Sequence, residues 1–325
     1  MKMIKWGVLG TASIAKGCTI PGMKLADNCE LYAIAGRSMD KAKAFQEEFG
    51  FEKAYDNYEA LLADEEIQAV YIPLPNNLHY EWCMKAIEAG KNVLCEKPLA
   101  PNEKQARELF AAAKAKGVVL MEAFAYLHTP YIAALKQEIQ NQSIGELKYI
   151  ESAFMVQSCA PTDIRMFKET YGGAFYDLGC YCTSLMGWIM DSEIVKAQAI
   201  SEYSEENIDL FTTAYMTFDN GVRASLNCGM IFGRDRNSRM DRLYIHGSKG
   251  YIKSDTEYNQ AGDLSYTICI DGKLEVKTVN AKHNYQLEVE QLGRCITDNE
   301  TPYVSPEFSI MNAKNMDVVL EAMGY

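Results

Sequence analysis

Ile4-Lys5-Trp6-Gly7-Val8-Leu9-Gly10-Thr11-Ala12-Ser13-Ile14-Ala15 is the stretch that decides the fold. A short apolar run ends at Gly10, and the small residues after it open a helix. The first N–H groups of a helix have no intrahelical partners, so a strand-to-helix turn of this kind attracts an anion. The turn is a variant of the G-x-G-x-x-G/A pattern with Ala12 at its second glycine. Gly10 serves the tight turn, position 12 lets a pyrophosphate approach the backbone, and Ala15 is small where helix meets strand. Thr11, Ser13 and Ile14 complete the cradle. Taken alone, the same residues also fit a tight turn with no ligand, so the flanking sequence has to choose.

Outward from this turn, apolar runs recur at Leu31 to Ala35, Ala69 to Ile72, Val93 to Cys95 and Val118 to Met121. Short uninterrupted runs mark strands buried on both faces of a parallel sheet. Helices with recognisable ends fall between them. Ser38 opens one that Gly50 closes, and Asp56 with Glu59 reads as a capping box. Leu78 to Ala89 stops at Gly90, and Asn102 with Gln105 opens a helix closed by Gly117. Such alternation predicts a doubly wound, Rossmann-like parallel sheet. Beyond about residue 125 the segments become longer and β-rich: Glu146 to Gln157, Ile194 to Tyr203, Leu210 to Phe218, Val222 to Met230, Leu243 to Ile245 and Leu264 to Ile270. Asp219-Asn220-Gly221 and Asp271-Gly272 supply hairpin turns. The expected class is α/β: an N-terminal Rossmann domain over 1–122, then an α+β domain over 123–325 with a large, mostly antiparallel open sheet.

The 325 residues are 48% hydrophobic and 23% charged, as expected for a soluble chain of about two domains. A net charge of −12 and a pI near 5.0 argue against nucleic acid, whose binders carry a basic stripe. No apolar run reaches the roughly 18 residues of a membrane span, so no membrane partner is expected. The apolar start mimics a signal peptide only faintly, being short and interrupted by Gly7 and Gly10. Ten cysteines, mostly single within apolar segments, read as buried, reduced residues of a cytoplasmic protein. Cys180 and Cys182 lack zinc or thioredoxin spacing, and the four histidines form no ligand motif, so no metal is expected.

Cofactor choice is read at the end of the second strand, where an Asp or Glu would bind the ribose 2′-hydroxyl of NAD. Here Ala35-Gly36-Arg37-Ser38 stands instead, with Lys41 and Lys43 behind it. Arg37 reaching a 2′-phosphate, Ser38 donating to it and Lys41 adding charge favour NADP(H) over NAD(H). Ser38 as a helix cap and the lysines as a solvated face is the other reading, and Asp40 counts against NADP(H). The third strand runs into Pro73-Leu74-Pro75-Asn76-Asn77-Leu78-His79, and the fourth into Glu96-Lys97-Pro98. Ligands of open α/β sheets sit beyond the carboxyl ends of strands. Pro73, Leu74, Pro75, Asn76, His79, Glu96 and Lys97 are therefore expected at the cofactor cleft. Pro98 keeps Lys97 out of the helical region and is able to form a cis bond. By itself the tripeptide equally suits a surface lysine at a helix start.

Together with Met121-Glu122-Ala123-Phe124 and Gly172-Gly173-Ala174-Phe175-Tyr176-Asp177-Leu178-Gly179-Cys180-Tyr181, these elements resemble the Gfo/Idh/MocA oxidoreductase family over essentially the whole chain. Within it the resemblance is to the branch of dimeric trans-dihydrodiol dehydrogenases, NADP-dependent xylose dehydrogenases and glucose–fructose oxidoreductase. The resemblance implies that Lys97 holds the substrate oxygen near the nicotinamide. It implies that Asp177 and Tyr181 match an Asp-x-x-x-His pair, with tyrosine at the acid/base position, and that Arg165 lies near cofactor and substrate. It also implies that the C-terminal half binds substrate and forms a homodimer through the free face of its sheet. The residues' own pattern agrees: Asp177 and Tyr181, four apart, share a helix face beside an apolar stripe of Phe175, Leu178, Cys182, Leu185 and Ile189. A core tyrosine and a solvated acid are the alternative.

The expected chemistry is reversible hydride transfer between nicotinamide C4 and a carbonyl or secondary alcohol of a sugar, cyclic diol or α-hydroxy carbonyl. A phenol ordinarily titrates at about 10, and the Lys97 ammonium is expected to draw Tyr181 toward its phenolate. Asp177 would orient the substrate or the Lys97–Tyr181 pair. A cofactor-binding sensor without turnover is the competing class, since fold does not fix function; the joint presence of Lys97, Asp177 and Tyr181 speaks against it. A third reading keeps the nicotinamide as a catalyst that oxidises and re-reduces one substrate. Arg165, Arg234, Arg236 and Arg239 leave room for a phosphorylated substrate in an otherwise acidic protein, and no motif selects among substrates.

Overall fold

A computed structural model describes residues 2–233, 239–254 and 258–325. The chain forms two compact units, Met1–His128 with Lys282–Ser309, and Thr129–Ala281 with Ile310–Tyr325. These units differ from the expected single division between 122 and 123 in two places, since 123–128 and 282–309 both belong to the first unit. The helices in chain order are α1 (Ile20–Leu25), α2 (Met39–Phe49), α3 (Tyr58–Leu62), α4 (Asn76–Glu88), α5 (Glu103–Lys116), α6 (Pro130–Gln140), α7 (Cys180–Met190), α8 (Asn284–Asp298) and α9 (Pro306–Met323). None among the described residues is long and apolar enough to cross a membrane.

The first unit is built on six parallel strands: β1 (Ile4–Leu9), β2 (Cys29–Ala35), β3 (Lys53–Tyr55), β4 (Ala69–Ile72), β5 (Asn92–Glu96) and β6 (Leu120–Ala123). Their order is β3-β2-β1-β4-β5-β6, so the winding reverses between β1 and β4 and leaves a crevice at the strand ends there. All four residues of β4 are buried, as expected of a strand covered on both faces. In α5 the buried residues Ala106, Leu109, Phe110 and Ala113 recur at helical spacing. The Asn102 side chain accepts from Gln105 N (3.0 Å), and Gly117 ends the helix at φ +70°. One cap differs from expectation. Asn57, not Asp56, caps α3, its side chain accepting from Ala60 N (2.7 Å) while Asp56 takes a bond from Asn57 Nδ2. The later segment is locked in by α8. A Cβ on Gly22 of α1 would lie 2.7 Å from Tyr285 Cβ, and Asn28 Nδ2 donates to Glu290 O (2.9 Å).

The second unit carries an eight-stranded sheet: β7 (Leu147–Gln157), β8 (Ile194–Tyr203), β9 (Asp209–Phe218), β10 (Arg223–Phe232), β11 (Met240–Gly247), β12 (Gly250–Ser254), β13 (Gly262–Ile270) and β14 (Lys273–Ala281). The order is β14-β13-β12-β11-β7-β10-β9-β8, antiparallel except where β7 and β10 run parallel. Asp271 (φ +49°) and Gly272 (φ +77°) form the β13–β14 turn as the sequence predicts. One face buries Ile150, Leu226, Ile245, Ile252 and Ile268. From the other, Ile200 projects 82% exposed, with Val195, Tyr215, Leu274 and Val276 also exposed. The helix expected to show a polar flank is instead buried throughout, from Cys180 to Ile189. Its polar residues bond inwardly: Thr183 Oγ1 to Asn312 Oδ1 (2.9 Å), and Ser184 Oγ to Tyr181 O (3.0 Å).

Candidate active site

In the first unit the predicted cofactor residues gather at the carboxyl ends of β1, β2, β4 and β5. Gly10 adopts φ +121°, which only glycine takes without strain, and its N–H bonds Ala35 O (2.9 Å). A Cβ there would come within 3.1 Å of Leu74 Cδ2, so the turn forms a cradle that a side chain would fill. The chain enters a helix at Ser13, continues through a π-helical turn at Ala15–Thr19, and buries Ala15 completely. Thr11, Ala12 and Ile14 are partly exposed along this turn, and Ser13 is open. The Thr11 side chain lies 3.5 Å from where a Cβ of Gly36 would be, which brings the glycine turn beside Arg37 and Ser38. Both of these are exposed, as are Lys41 and Asp40. Ser38 occupies the N-cap of α2, yet its side chain makes no capping bond. Backbone amides at a helix start and a basic residue next to them suit the anionic groups of a dinucleotide.

The two turns after β4 and β5 are tied together from inside. His79, fully buried, places Nε2 2.7 Å from Leu74 O and Nδ1 2.8 Å from Pro98 O. Burial lowers its pKa, while the two carbonyls pull the other way. Its ring therefore links Pro73-Leu74-Pro75 to the Lys97-Pro98 turn, whose peptide bond is cis. Glu96 is buried and accepts from Tyr71 Oη (2.6 Å), which itself accepts from Thr19 Oγ1 (2.8 Å). Lys97 is half-buried, and Asn76 starts α4.

The second unit assembles the other half of the predicted set. Arg165 stands in a 3₁₀ turn, and its Nε donates to Asp177 Oδ2 (2.6 Å) while Nη1 reaches Asp163 Oδ1 (3.1 Å). Asp177 beside it raises the guanidinium's pKa still further. Asp177 sits in a π-helical turn, Phe175–Gly179, that leads into α7. Four residues on, Tyr181 is buried with its ring 5.3 Å from both Phe154 and Tyr258. Asn259 Nδ2 donates to Tyr181 Oη at 3.4 Å. Arg239 covers Phe154 at 4.6 Å and forks onto Asp241 (3.2 and 2.9 Å). Phe154, Tyr258 and Asn259 as neighbours of Tyr181, and Arg239 over Phe154, were invisible in the sequence, since they come from segments far apart in the chain. Arg234 and Arg236 lie outside the described residues.

Asp209 holds the start of this helical run. Its carboxylate accepts from Phe175 N (2.7 Å), Tyr325 Oη (3.0 Å) and Thr212 Oγ1 (3.2 Å), and burial pushes its pKa up to about 6. Gly173 and Gly172 allow the close approach that this needs. A Cβ on Gly173 would overlap Asp209 Oδ1, and one on Gly172 would overlap Arg165 O.

Comparison with known proteins matches these two units. Residues 4–124 match the model of an oxidoreductase family with an NAD-binding Rossmann fold, and residues 132–253 match the GFO/IDH/MocA C-terminal domain. A D-xylose 1-dehydrogenase (NADP(+)) from Haloferax volcanii is 30% identical over 98% of this chain and 96% of its own. A trans-1,2-dihydrobenzene-1,2-diol dehydrogenase from Xenopus laevis is 29% identical over 98% of each. In structure, KijD10, a 3-ketoreductase from Actinomadura kijaniata in complex with NADP and TDP-benzene, superposes with a TM-score of 0.91 at 30% identity, over 99% of this chain and 98% of its own. The chain belongs to the Gfo/Idh/MocA oxidoreductase family.

Proposed function

We propose that this protein is an NADP(H)-dependent dehydrogenase or reductase acting on the CH–OH or carbonyl group of a sugar, cyclic diol or α-hydroxy carbonyl. The observation that carries the reading is Tyr181. It is buried beside two aromatic rings, its oxygen receives the Asn259 amide, and one helical turn away Arg165 clamps Asp177. Family membership over both units supports it.

Gly10, Thr11, Ala12, Ser13 and Ile14 would hold the pyrophosphate on backbone amides, and Arg37, Ser38 and Lys41 the 2′-phosphate. Pro73, Leu74, Pro75, Asn76 and Glu96 would wall the nicotinamide end, with His79 fixing their turns. The bound nicotinamide supplies a hydride donor or acceptor. Tyr181 gives its proton to the substrate oxygen during reduction and takes it back during oxidation. A donor to the phenol oxygen, such as Asn259, favours the phenolate this requires. Lys97 donates to the same substrate oxygen where negative charge develops. Asp177, held by Arg165, accepts from a neighbouring substrate hydroxyl. Phe154 and Tyr258 offer apolar surface to a ring substrate.

In this reading the first unit binds the dinucleotide and the second binds substrate and pairs two copies. The outer sheet face, with Ile200 82% exposed and Leu274 67% exposed, supports a homodimer. The ten cysteines form no disulfide with one another, which suits the cytoplasm. The test is NADPH and NADH consumption against aldoses, ketoses, 1,2-dicarbonyls, α-hydroxy carbonyls and a dTDP-linked ketosugar. Turnover that Tyr181→Phe abolishes while NADPH still binds is expected. Unchanged turnover in that variant refutes the Tyr181 assignment, and binding without turnover on any substrate favours a sensor.

A further inference from the structure

Glu122 has no part in the chemistry described above, although it stands at the carboxyl end of β6, next to the strand that delivers Lys97. The register pairs Cys95 with Glu122 and Glu96 with Ala123, so its side chain lies where β5 passes into the Lys97-Pro98 turn. It is 2% exposed. Its Oε1 accepts from Leu99 N (2.9 Å), gripping the backbone two residues past Lys97. On the opposite side of that turn, His79 Nδ1 meets Pro98 O at 2.8 Å. Pro98 O and Leu99 N belong to one peptide group, so that unit is held at both of its polar atoms by two buried, titratable side chains from separate elements.

We propose that Glu122 is a positioning residue for Lys97, whose carboxylate fixes the Lys97-Pro98-Leu99 backbone and draws the Lys97 ammonium into its working direction. This rests on the reading of Lys97 given above. The groups facing Glu122 are Lys97, Glu96 and Cys95 from β5 and its turn, and the Ser309 hydroxyl from α9. Burial pushes the Glu122 pKa up to about 7, against the Ser309 hydroxyl, the Leu99 amide and Lys97, which favour the carboxylate, while Glu96 adds to the rise. Below that pH Glu122 is a neutral acid that still accepts from Leu99 but attracts the ammonium weakly. Above it the carboxylate exerts both holds. Misplacing a group by about 1 Å costs on the order of 100-fold in rate.

The experiment compares wild type with Glu122→Gln, Glu122→Ala and Lys97→Met. Reductive 13C-methylation of lysines gives a second readout that needs no turnover, with the Lys97 signal assigned by its loss in Lys97→Met. In wild type the Lys97 methyl signal is expected to move through an inflection near pH 7, and kcat to rise across the same interval. In Glu122→Gln both changes should vanish, leaving kcat at the low-pH plateau with the KM for NADPH within about threefold of wild type. Glu122→Ala, which also loses the grip on Leu99, should fall on the order of 100-fold in kcat. A Lys97 signal without that inflection in wild type overturns the proposal, whatever the variants do. Inactive Lys97→Met beside Glu122 variants of wild-type rate and pH profile overturns it while sparing the role of Lys97. A fully active Lys97→Met overturns both.

Discussion

Gly173→Ala should unfold the second unit far more readily than an alanine placed at another positive-φ glycine. Gly173 sits at φ +110°, where an L-residue costs about 1–3 kcal/mol. Its new Cβ would also overlap Asp209 Oδ1 and force that carboxylate away from Phe175 N and Tyr325 Oη. Leaving a buried acceptor without its donors costs a further ~1–3 kcal/mol. Gly221 supplies the control. It lies in the same unit at φ +82°, and a Cβ there meets nothing within 4 Å, so Gly221→Ala should cost only the backbone strain, about 1 kcal/mol. The two variants should therefore differ by about 3 kcal/mol, or roughly 6–12 °C in melting temperature for a unit of this size. Differential scanning calorimetry and urea titration measure it. Because Phe175 begins the helical run that carries Asp177 and Tyr181, Gly173→Ala should also lose turnover at temperatures where it is still folded. If the two variants melt together, the contact between Gly173 and Asp209 does not constrain the fold and the argument fails.

Arg37→Ala should raise the KM for NADPH by roughly 10- to 100-fold, the loss of one charge-assisted bond, and leave the KM for NADH nearly unchanged; parallel kinetics with both cofactors decide it, and equal losses would remove Arg37 as the selector. The Asp209 pKa is raised from 3.8 to about 6, so the stability that its neutral form contributes is complete below 3.8 and is lost as pH rises through 6. That loss is worth ~3 kcal/mol. Asp209→Asn should flatten this part of the stability–pH curve in urea titrations, and an unchanged slope would show that Asp209 titrates normally. Ile200→Glu, which puts a charge on the exposed face of β8, should convert a dimer to monomer in sedimentation velocity without changing the melting temperature by more than a few degrees; a dimer that persists places the interface elsewhere.

What the sequence declared was whatever local chemistry dictates. Gly10 must turn, and it does at φ +121°; Asp271-Gly272 must close a hairpin, and both residues take positive φ. The elements left unread are those whose neighbours, not their own residues, determine them. β3 is only three residues, all half-exposed, and β14 is an edge strand open along nearly its whole length, so neither shows an alternation of buried and exposed positions. The return of 282–309 to the first unit depends on Asn28 and Gly22, more than two hundred residues upstream, and no window of local sequence records such a contact.

The helix after Gly179 differs from its expected picture. A stripe with a polar flank was expected, yet Cys180–Met190 contains no charged residue, and that composition already describes a helix enclosed on all sides. Enclosure changes the argument for Tyr181. A phenol on an open flank needs only water around it, whereas a buried one must have a partner for its oxygen or bear the cost of desolvation. Asn259 is such a partner, and Arg165 is the corresponding partner of Asp177. Maintaining Asp177 and Tyr181 in this enclosed helical run, each met by a donor from another segment, costs stability that a purely structural run would recover with leucine. That unrecovered cost is the physical argument for the proposed roles of Asp177 and Tyr181.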